Sequence, residues 1–370
     1  MINYLKQLPN KTIAPILFVV CLTGYTEVLA QPISKEIEKI AQEVGIPGLQ
    51  VVHTKGKKKQ SYTYGTKKFG TTDSVKNNTR FQAASLTKVV ATYTFFRLMD
   101  KGLIELDKPL LSYYPYDRLS NTVNGDKITA RMVLTHRTGL VNWQGDVPSA
   151  AWRATPLTFQ FEPGMDYMYS GEGFYFLQET LEHITNKSFQ ILVEEEVLKP
   201  LALSYSNIVW NDTLETNAAY GHYSLEKPRR LGKYAKTNAA YTLYTTAEDY
   251  MKFIQKAIIE GEGLKKSTHK LMLTKAAEAK KGKNIDPTDM YVPCALGMRM
   301  QLNEKGTAYW HTGSNPGFRC FFITYPKSKE TLVTFMNTDE GFPAMKKLMQ
   351  LFLDKKQTFW AYDWREGELD

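Results

Sequence analysis

A serine and a lysine stand three residues apart at Ser85 and Lys88, inside the run FQAASLTKVVATYTFF. Lys88 is the only charged side chain between Arg80 and Arg97, so the run predicts a buried helix with one amine. Loss of water disfavours a charged lysine, and a neutral amine one helical turn from a serine can accept its hydroxyl proton. The pair predicts a nucleophile beside a general base. A core helix whose lysine extends to the surface would carry the same spacing.

Two later segments supply further polar groups in a suggestive order. Tyr169 begins the sequence Tyr-Ser-Gly, shortly after a Pro-Gly pair, and His311, Thr312 and Gly313 lie in an expected strand near the C-terminus. A phenol held near an ammonium group has a lowered pKa and can move protons to and from a leaving group. Together with Ser85, these residues favour acyl transfer.

The order of S-x-x-K, a tyrosine motif and a [KH]-T-G strand resembles that of the penicillin-recognising serine hydrolases. Five stretches carry the resemblance, namely GIPGLQVV, TRFQAASLTKVVATYTFFRLMDKGLIELDKPL, ITARMVLTHRTGL, FEPGMDYMYSGEGFYFL and HTGSNPGFRCFF. They are similar to the class C β-lactamase and DD-peptidase superfamily, including its esterase and amidase relatives. The resemblance covers nearly all of the chain after residue 30. It implies a β-lactamase/transpeptidase-like fold with its active site between two lobes.

The resemblance implies a catalytic role for each of three residues. Ser85 is expected to be the acyl-accepting nucleophile at the start of the central helix, where the helix dipole favours developing negative charge. Lys88 is expected to act as its base, alone or with Tyr169. The tyrosine takes the second acid/base role.

Four consecutive residues are expected to hold the substrate. His311 would support proton transfer through the tyrosine and attract a substrate carboxylate or carbonyl. Thr312 would supply a hydroxyl, and Gly313 would let the strand lie against the acyl chain without a Cβ. The backbone N–H groups of Ser85 and Ser314 are expected to form the oxyanion hole.

One position departs from the family pattern. The tyrosine motif commonly ends in an asparagine, whose amide contacts the base lysine and the side-chain amide of the substrate, but this chain has Gly171. Acylation stays chemically intact without that amide, whereas efficient β-lactam hydrolysis is put in doubt. Ser170, Glu172 and Arg319 are alternative substrate-binding residues.

His136, in LTHRTGL, is a candidate triad histidine by type alone. The same phrase occurs in the resembling family as a structural turn, and the chain has no G-x-S-x-G elbow to partner it. We therefore expect His136 to be structural and disfavour an α/β-hydrolase.

The hydrophobic pattern predicts a mixed α/β (α+β) fold in which strands lie at both chain ends. One antiparallel sheet is expected from both termini, with a mainly helical lobe inserted. The expected sheet lobe covers about 31–75 and 290–363, the helical lobe about 76–289, and a tail 364–370. The expected helices at the two ends are 33–44 and 344–355, and the expected strands are 48–54, 60–66, 295–301, 307–312, 318–325 and 331–337.

Residues 1–30 are expected to be an export signal that is removed. Lys6 and Lys11 precede an apolar stretch at 13–22 that is too short to span a bilayer, and Ala30 offers a cleavage site. We expect a periplasmic or secreted protein without stable membrane insertion, although an uncleaved anchor remains open. Cys294 and Cys320 then remain, either as a disulfide or as two buried thiols.

Composition narrows the range of ligands. The net charge of +9 comes partly from lysine clusters without interleaved aromatic residues, so nucleic-acid binding is not expected. Scattered histidines and the absence of C-x-x-C and H-E-x-x-H motifs predict no metal, and acyl transfer needs no cofactor.

The expected function is hydrolysis of an ester or amide through an acyl-Ser85 intermediate. Candidate substrates are small esters, D-amino-acid peptides such as peptidoglycan fragments, and β-lactams, in no order. The alternative is a penicillin-binding sensor or scaffold that is acylated without efficient turnover, since its acylation motifs would be identical. A catalytically inactive relative is disfavoured because the serine, lysine, tyrosine and histidine are all present.

Overall fold

The computed structural model describes residues 21–120, 122–280 and 284–366. Most of the expected export segment, residues 1–20, and the end of the expected tail, residues 367–370, lie outside the described residues. No helix in the described part of the chain is long and apolar enough to cross a membrane.

The main sheet has six antiparallel strands in the order β2-β1-β8-β7-β6-β5, and a two-stranded sheet pairs β3 with β4. Strands from both chain ends meet where β1 pairs with β8, in a register that sets Leu49 opposite Met336. The predicted antiparallel sheet from both termini is therefore confirmed. The strands are β1 Gly48–Lys55, β2 Lys58–Gly65, β3 Phe81–Gln82, β4 Tyr244–Thr245, β5 Arg299–Asn303, β6 Gly306–Asn315, β7 Phe318–Tyr325 and β8 Glu330–Met336.

Ten α-helices lie in the described residues, and most belong to the segment inserted between β2 and β5. Short 3₁₀ turns and loops connect them, so the middle of the chain contains less regular helix than the sequence predicted. The helices are α1 Cys21–Val44, α2 Thr87–Asp100, α3 Ala130–Leu134, α4 Ala150–Ala154, α5 Gly171–Thr185, α6 Phe189–Val193, α7 Ala247–Phe253, α8 Lys266–Met272, α9 Phe342–Phe352 and α10 Trp360–Glu366.

Strands β1, β7 and β8 of the main sheet are buried on both faces, whereas the edge strand β2 is exposed or half-buried. Side chains alternate along a strand, so Phe321 joins the apolar cluster beneath α1 and α9, whereas Phe322 joins the larger cluster that includes α2 and α5. Val51 and Val52 divide between the same clusters. This two-sided burial explains the consecutive apolar residues of the inner strands.

Strand β5 begins four residues later than predicted. The sequence indicated a strand at 295–301, but the ordered strand starts at Arg299. Gly297 has φ +77, and a Cβ there would lie 2.0 Å from Thr92 Oγ1 of α2, so the chain turns tightly against the central helix. Residues 295–298 are buried, which gave them the apolar pattern of a strand without its geometry.

Cys294 and Cys320 are both buried, and no disulfide joins them. Each belongs to a different apolar cluster, one on each side of the sheet. Of the two alternatives, the buried thiols are the correct one. Across the described ranges, no group of three or more histidine, cysteine, aspartate or glutamate residues could hold a metal ion.

Candidate active site

Ser85 lies in the 3₁₀ turn Ala84–Leu86, which leads directly into α2. Ala84 adopts φ +47, a left-handed conformation that is costly for alanine and persists only where the surroundings enforce it. The Thr87 hydroxyl helps to hold this conformation of Ala84. The hydroxyl donates to Ala84 O at 2.6 Å and accepts from Leu243 N at 3.1 Å. The half-buried Ser85 is thereby fixed at the N-terminal end of the helix.

Strand β6 runs directly against this turn at Gly313. A Cβ on Gly313 would lie 2.6 Å from Ala83 O and 2.4 Å from Cys320 Sγ, so only glycine permits the approach. The Cys320 thiol also donates to Ala83 O at 3.0 Å. The next residue, Ser314, is exposed on the same strand. This approach brings the expected substrate-binding strand beside the serine turn.

Lys88 is fully buried, and its amine faces the serine. Its Nζ lies 3.3 Å from Ser85 Oγ and donates to Ala240 O at 3.1 Å. Burial, reinforced by the positive charge of Arg299, lowers the pKa of Lys88 to about 7. A large fraction of the amine is therefore neutral near pH 7 and can accept a proton. The alternative of a core helix whose lysine extends to the surface is therefore wrong for Lys88.

Tyr169 lies where several polar groups converge, just before the N-terminus of α5. The Lys88 amine is 4.7 Å from the centre of its ring and the Arg299 guanidinium is 5.5 Å from it. The ring centres of His136 and His311 are 4.3 Å and 6.1 Å away. The structure thus brings the predicted tyrosine to the buried lysine amine.

His311 and Thr312 are buried on β6, opposite Phe322 and Phe321 of β7. The ring Nδ1 of His311 lies 2.6 Å from its neighbour's carbonyl oxygen, that of Thr312, which fixes the ring plane. The imidazole is therefore held on the β6 side of Tyr169.

His136 also contacts Tyr169 and supports the tyrosine loop. Its Nδ1 accepts a hydrogen bond from Ser170 N at 3.1 Å, and its carbonyl accepts one from Met168 N at 2.8 Å. Burial, and then the charge of Lys88, lower its pKa well below the usual range, so the ring is neutral. Because these contacts hold the residues on both sides of Tyr169, His136 positions the tyrosine.

Arg299 was missed by the sequence reasoning. It opens β5, is buried, and donates to the Tyr167 hydroxyl at 2.6 Å. Its guanidinium also packs over the rings of Trp364 and Trp310, at 4.4 Å and 5.4 Å. The available signal was an arginine inside the apolar run ALGMRMQL, which parallels the lone lysine of α2.

A small cavity lies between α3 and the start of β5. It brings together His136, His311 and the residue Arg299, and it is lined by Leu134, His136, Cys294, Gly297, Met298, Arg299 and His311. Two histidines and an arginine therefore line one small cavity.

Gly171 is covered by the indole of Trp143. A Cβ at position 171 would lie 2.3 Å from the indole ring, which therefore occupies the space where a larger side chain would begin. The backbone N–H of Gly171 donates to Asn142 Oδ1 at 2.9 Å. Trp143 in turn contacts Tyr241 edge-to-face, with ring centres 5.6 Å apart. The contact between Trp143 and Gly171 was not predicted, because the two residues are far apart along the chain.

The three alternative substrate-binding residues are committed to internal contacts. Ser170 Oγ caps α5 by accepting from Gly173 N at 3.1 Å and donates to Val141 O at 3.0 Å. Glu172 is buried in a bidentate ion pair with Arg118, at 2.7 Å and 3.1 Å. Arg319 pairs with Asp339 and donates to Asn315 O, both at 3.0 Å.

The Beta-lactamase family model matches residues 33–353 of the chain. Among curated proteins, D-alanyl-D-alanine-carboxypeptidase/endopeptidase AmpH of Escherichia coli K12 is 26% identical over 208 residues, which cover 50% of this chain and 54% of AmpH. The chain thus matches about half the length of that relative.

Two solved structures share the fold. A class C β-lactamase matches with a TM-score of 0.73 at 20% identity, covering 87% of this chain and 96% of that one. A penicillin-binding protein from Bacillus halodurans matches with a TM-score of 0.73 at 22% identity, covering 85% and 99% of the two chains. The expected β-lactamase/transpeptidase-like fold is confirmed.

Proposed function

The chain belongs to the β-lactamase family, and we propose that it is a serine hydrolase that cleaves an ester or amide bond through a covalent acyl-Ser85 intermediate. The observation that carries this proposal is the 3.3 Å approach of Lys88 Nζ to Ser85 Oγ. Burial lowers the pKa of that lysine to about 7, so the neutral amine is present at neutral pH. A serine hydroxyl needs such a base in order to attack a carbonyl.

In the acylation step, Ser85 Oγ bonds to the carbonyl carbon while its proton moves to Lys88. The carbonyl oxygen becomes an oxyanion, which the backbone N–H groups of Ser85 and Ser314 would hold. When the tetrahedral intermediate collapses, the bond to the leaving group breaks and Tyr169 gives that group a proton. Lys88, whose amine lies 4.7 Å from the centre of the phenol ring, would then return a proton to Tyr169.

In the deacylation step, a water molecule attacks the acyl-Ser85 carbonyl. Lys88 and Tyr169 accept the proton of the water and return one to Ser85 Oγ, which leaves as the free hydroxyl. His311 and Thr312 hold the substrate along β6, and Gly313 lets its acyl chain lie beside the strand.

Small esters, D-amino-acid peptides and β-lactams remain the candidate substrates. AmpH, by its name, acts on D-alanyl-D-alanine substrates, which supports peptidoglycan fragments as one of them. We also propose export to the periplasm or beyond the cell, supported by the basic and apolar pattern of residues 1–30. N-terminal sequencing of the protein from its native host tests this, with Gln31 as the expected first residue.

The second candidate function is a sensor that is acylated once and stays blocked. Gly171 favours it, since the position lacks the amide that the resembling β-lactamases use in turnover. Incubation with p-nitrophenyl acetate and with a fluorescent penicillin separates the two functions. Repeated release of nitrophenol without persistent label supports the hydrolase, and a stoichiometric lasting adduct supports the sensor. Failure of both reagents to react with wild-type Ser85, judged against Ser85→Ala, contradicts both.

A further inference from the structure

We propose that Trp143, seated on Gly171, makes the acyl side of the cleft an aromatic surface that selects substrates with a hydrocarbon acyl chain over substrates with an acylamino group. This inference rests on the proposed function and names the substrate class of the same site. It concerns the group attached to the carbonyl carbon that Ser85 attacks.

Trp143 connects the two segments that flank the lysine. On one side its indole lies against Gly171, two residues after Tyr169. On the other side it contacts Tyr241, whose preceding residue, Ala240, accepts a hydrogen bond from Lys88 Nζ. Trp143 and Tyr241 are each only half-buried, so part of each residue remains exposed.

The backbone at this position offers a ligand little to bind. The N–H groups of Gly171 and Glu172 both point to Asn142, whose carbonyl oxygen accepts from each at 3.1 Å. The amide oxygen of Asn142 also accepts from Gly171 N. An acyl-side amide that entered here would face the indole, with the side-chain Nδ2 of the exposed Asn142 as a neighbouring donor.

The amide of Asn315 on β6 is also committed. Its Nδ2 donates to Gln82 Oε1 at 2.9 Å, and it lies 3.2 Å from both the Tyr234 hydroxyl and Tyr241 O. Ser170, Glu172 and Arg319 are held by the contacts described above. An acylamino group would therefore exchange its hydrogen bonds to water for fewer partners here, whereas a hydrocarbon chain would gain apolar contact.

A matched pair of esters tests the preference directly. The acyl chains of p-nitrophenyl pentanoate and of N-acetylglycine p-nitrophenyl ester have the same length, and only the second contains an amide. Each kcat/KM is divided by the rate constant for hydroxide-catalysed hydrolysis of the same ester, which removes intrinsic reactivity. We expect wild-type protein to prefer the pentanoate by about tenfold or more, the scale on which a site without polar partners discriminates.

Two variants locate the preference at Trp143. The double variant Trp143→Ala with Gly171→Asn removes the indole and introduces an amide. We expect the ratio of the two corrected kcat/KM values to shift at least tenfold toward the acetylglycine ester. Trp143→Phe keeps an aromatic surface and should keep most of the preference. Trp360→Ala is the matched control, because that half-buried tryptophan stacks on Tyr291 near the C-terminus.

A wild-type preference for the acetylglycine ester would overturn the inference while leaving the proposed hydrolase intact. So would an unchanged ratio in a folded, active double variant. If that variant does not fold, the ratios of corrected kcat/KM values for wild-type protein and for Trp143→Phe still decide whether the inference holds. Failure of wild-type protein to turn over either ester, with no acyl group on Ser85 by intact mass, would contradict the proposed function itself and this inference with it.

Discussion

At the scale of single residues, Lys88 gains its proposed role from where its amine is buried. Desolvation and the charge of Arg299 both disfavour the protonated amine, so the pKa of Lys88 falls to about 7. The same burial makes the folded state less favourable at pH values where an exposed lysine is charged. A base for chemistry is thus obtained at a cost in stability.

Arg299→Gln is expected to move the acid side of the pH profile of kcat/KM. The profile should rise through the pKa of Lys88, because only the neutral amine accepts the serine proton. Removal of the neighbouring positive charge raises that pKa, so the midpoint should shift upward by roughly 0.5 to 1 unit. Arg299→Lys keeps the charge and serves as the control with a smaller shift. An unchanged midpoint in Arg299→Gln would rule out the electrostatic role.

Lys88→Met is expected to change how stability depends on pH. Between about pH 7 and 10.5 the unfolded chain binds more protons at this residue than the folded chain, so wild-type protein loses stability as the pH falls through that window. The variant lacks this dependence. As the pH falls, the free energy of unfolding of Lys88→Met should therefore increase relative to that of wild-type protein, by up to about 1.4 kcal/mol per pH unit. Urea titrations of both proteins at pH 7 and pH 9.5 measure this change. If the two proteins differ in stability by the same amount at both pH values, the lowered pKa of Lys88 is contradicted.

The serine and lysine could be predicted from the sequence because their relation is local, one helical turn within an apolar run. The positions of Arg299 and Trp143 could not. Each acts through residues distant in the chain, such as Tyr167 for the arginine and Gly171 for the tryptophan. An isolated tryptophan or arginine carries no local sign of which loop it will meet.

At the scale of elements, the site depends on how closely β6 approaches the turn that carries Ser85. Gly313→Ala would set a Cβ against Ala83 O and Cys320 Sγ. We expect the strand to move away from the turn, which would lower kcat/KM at least 100-fold and destabilise the protein by about 1–3 kcal/mol. Gly70→Ala is the control, because a Cβ there meets nothing within 4 Å and only the positive φ is strained. Retention of wild-type activity in Gly313→Ala would show that the approach is not required.

The loop that carries Trp143 is attached to α5 through Glu172, whose carboxylate is also the anion of a buried ion pair with Arg118. Glu172 also accepts hydrogen bonds from Trp152 Nε1 at 2.6 Å and from Gln144 N at 2.8 Å, so one carboxylate holds Arg118 and two points of the loop. Glu172→Gln should lower the free energy of unfolding by about 3 kcal/mol, because it leaves the Arg118 charge without its anion.

Chemical denaturation of Glu172→Gln, of Arg118→Met and of the double variant Arg118→Met with Glu172→Gln measures this coupling. The double variant should be more stable than the sum of the single losses predicts, since no buried charge remains unpaired. Strict additivity of the losses would contradict a coupled ion pair.

The limits of the six predicted strands followed from the sequence to within a few residues except at β5, whereas the two-residue strands β3 and β4 were not predicted. Turn residues at the ends of short runs rich in apolar, aromatic and β-branched residues define β1, β2, β7 and β8 locally. At 295–298, burial against α2 produced the same apolar pattern without strand pairing. Burial and secondary structure are different properties, and hydrophobicity alone reports only the first.

At the scale of the whole molecule, the fold brings two distant parts of the chain to one site. The serine turn lies between β2 and α2, whereas β6 begins more than 200 residues later and packs directly against that turn at Gly313. Strand periodicity predicted a sheet from both ends but not the neighbour of each strand, because pairing depends on contacts that no local pattern specifies. The fold itself was predictable only through the resemblance of several stretches to a known family.

The most direct test of the account is the rate at which p-nitrophenyl acetate acetylates Ser85, followed by peptide mass mapping across pH 5 to 9. We predict a single acetylated residue, Ser85, with a rate that rises through an inflection near pH 7. In Lys88→Met the rate should fall at least 1000-fold and the inflection should disappear. Acetylation at another residue, or an unchanged inflection without Lys88, would contradict the claim that this amine activates the serine.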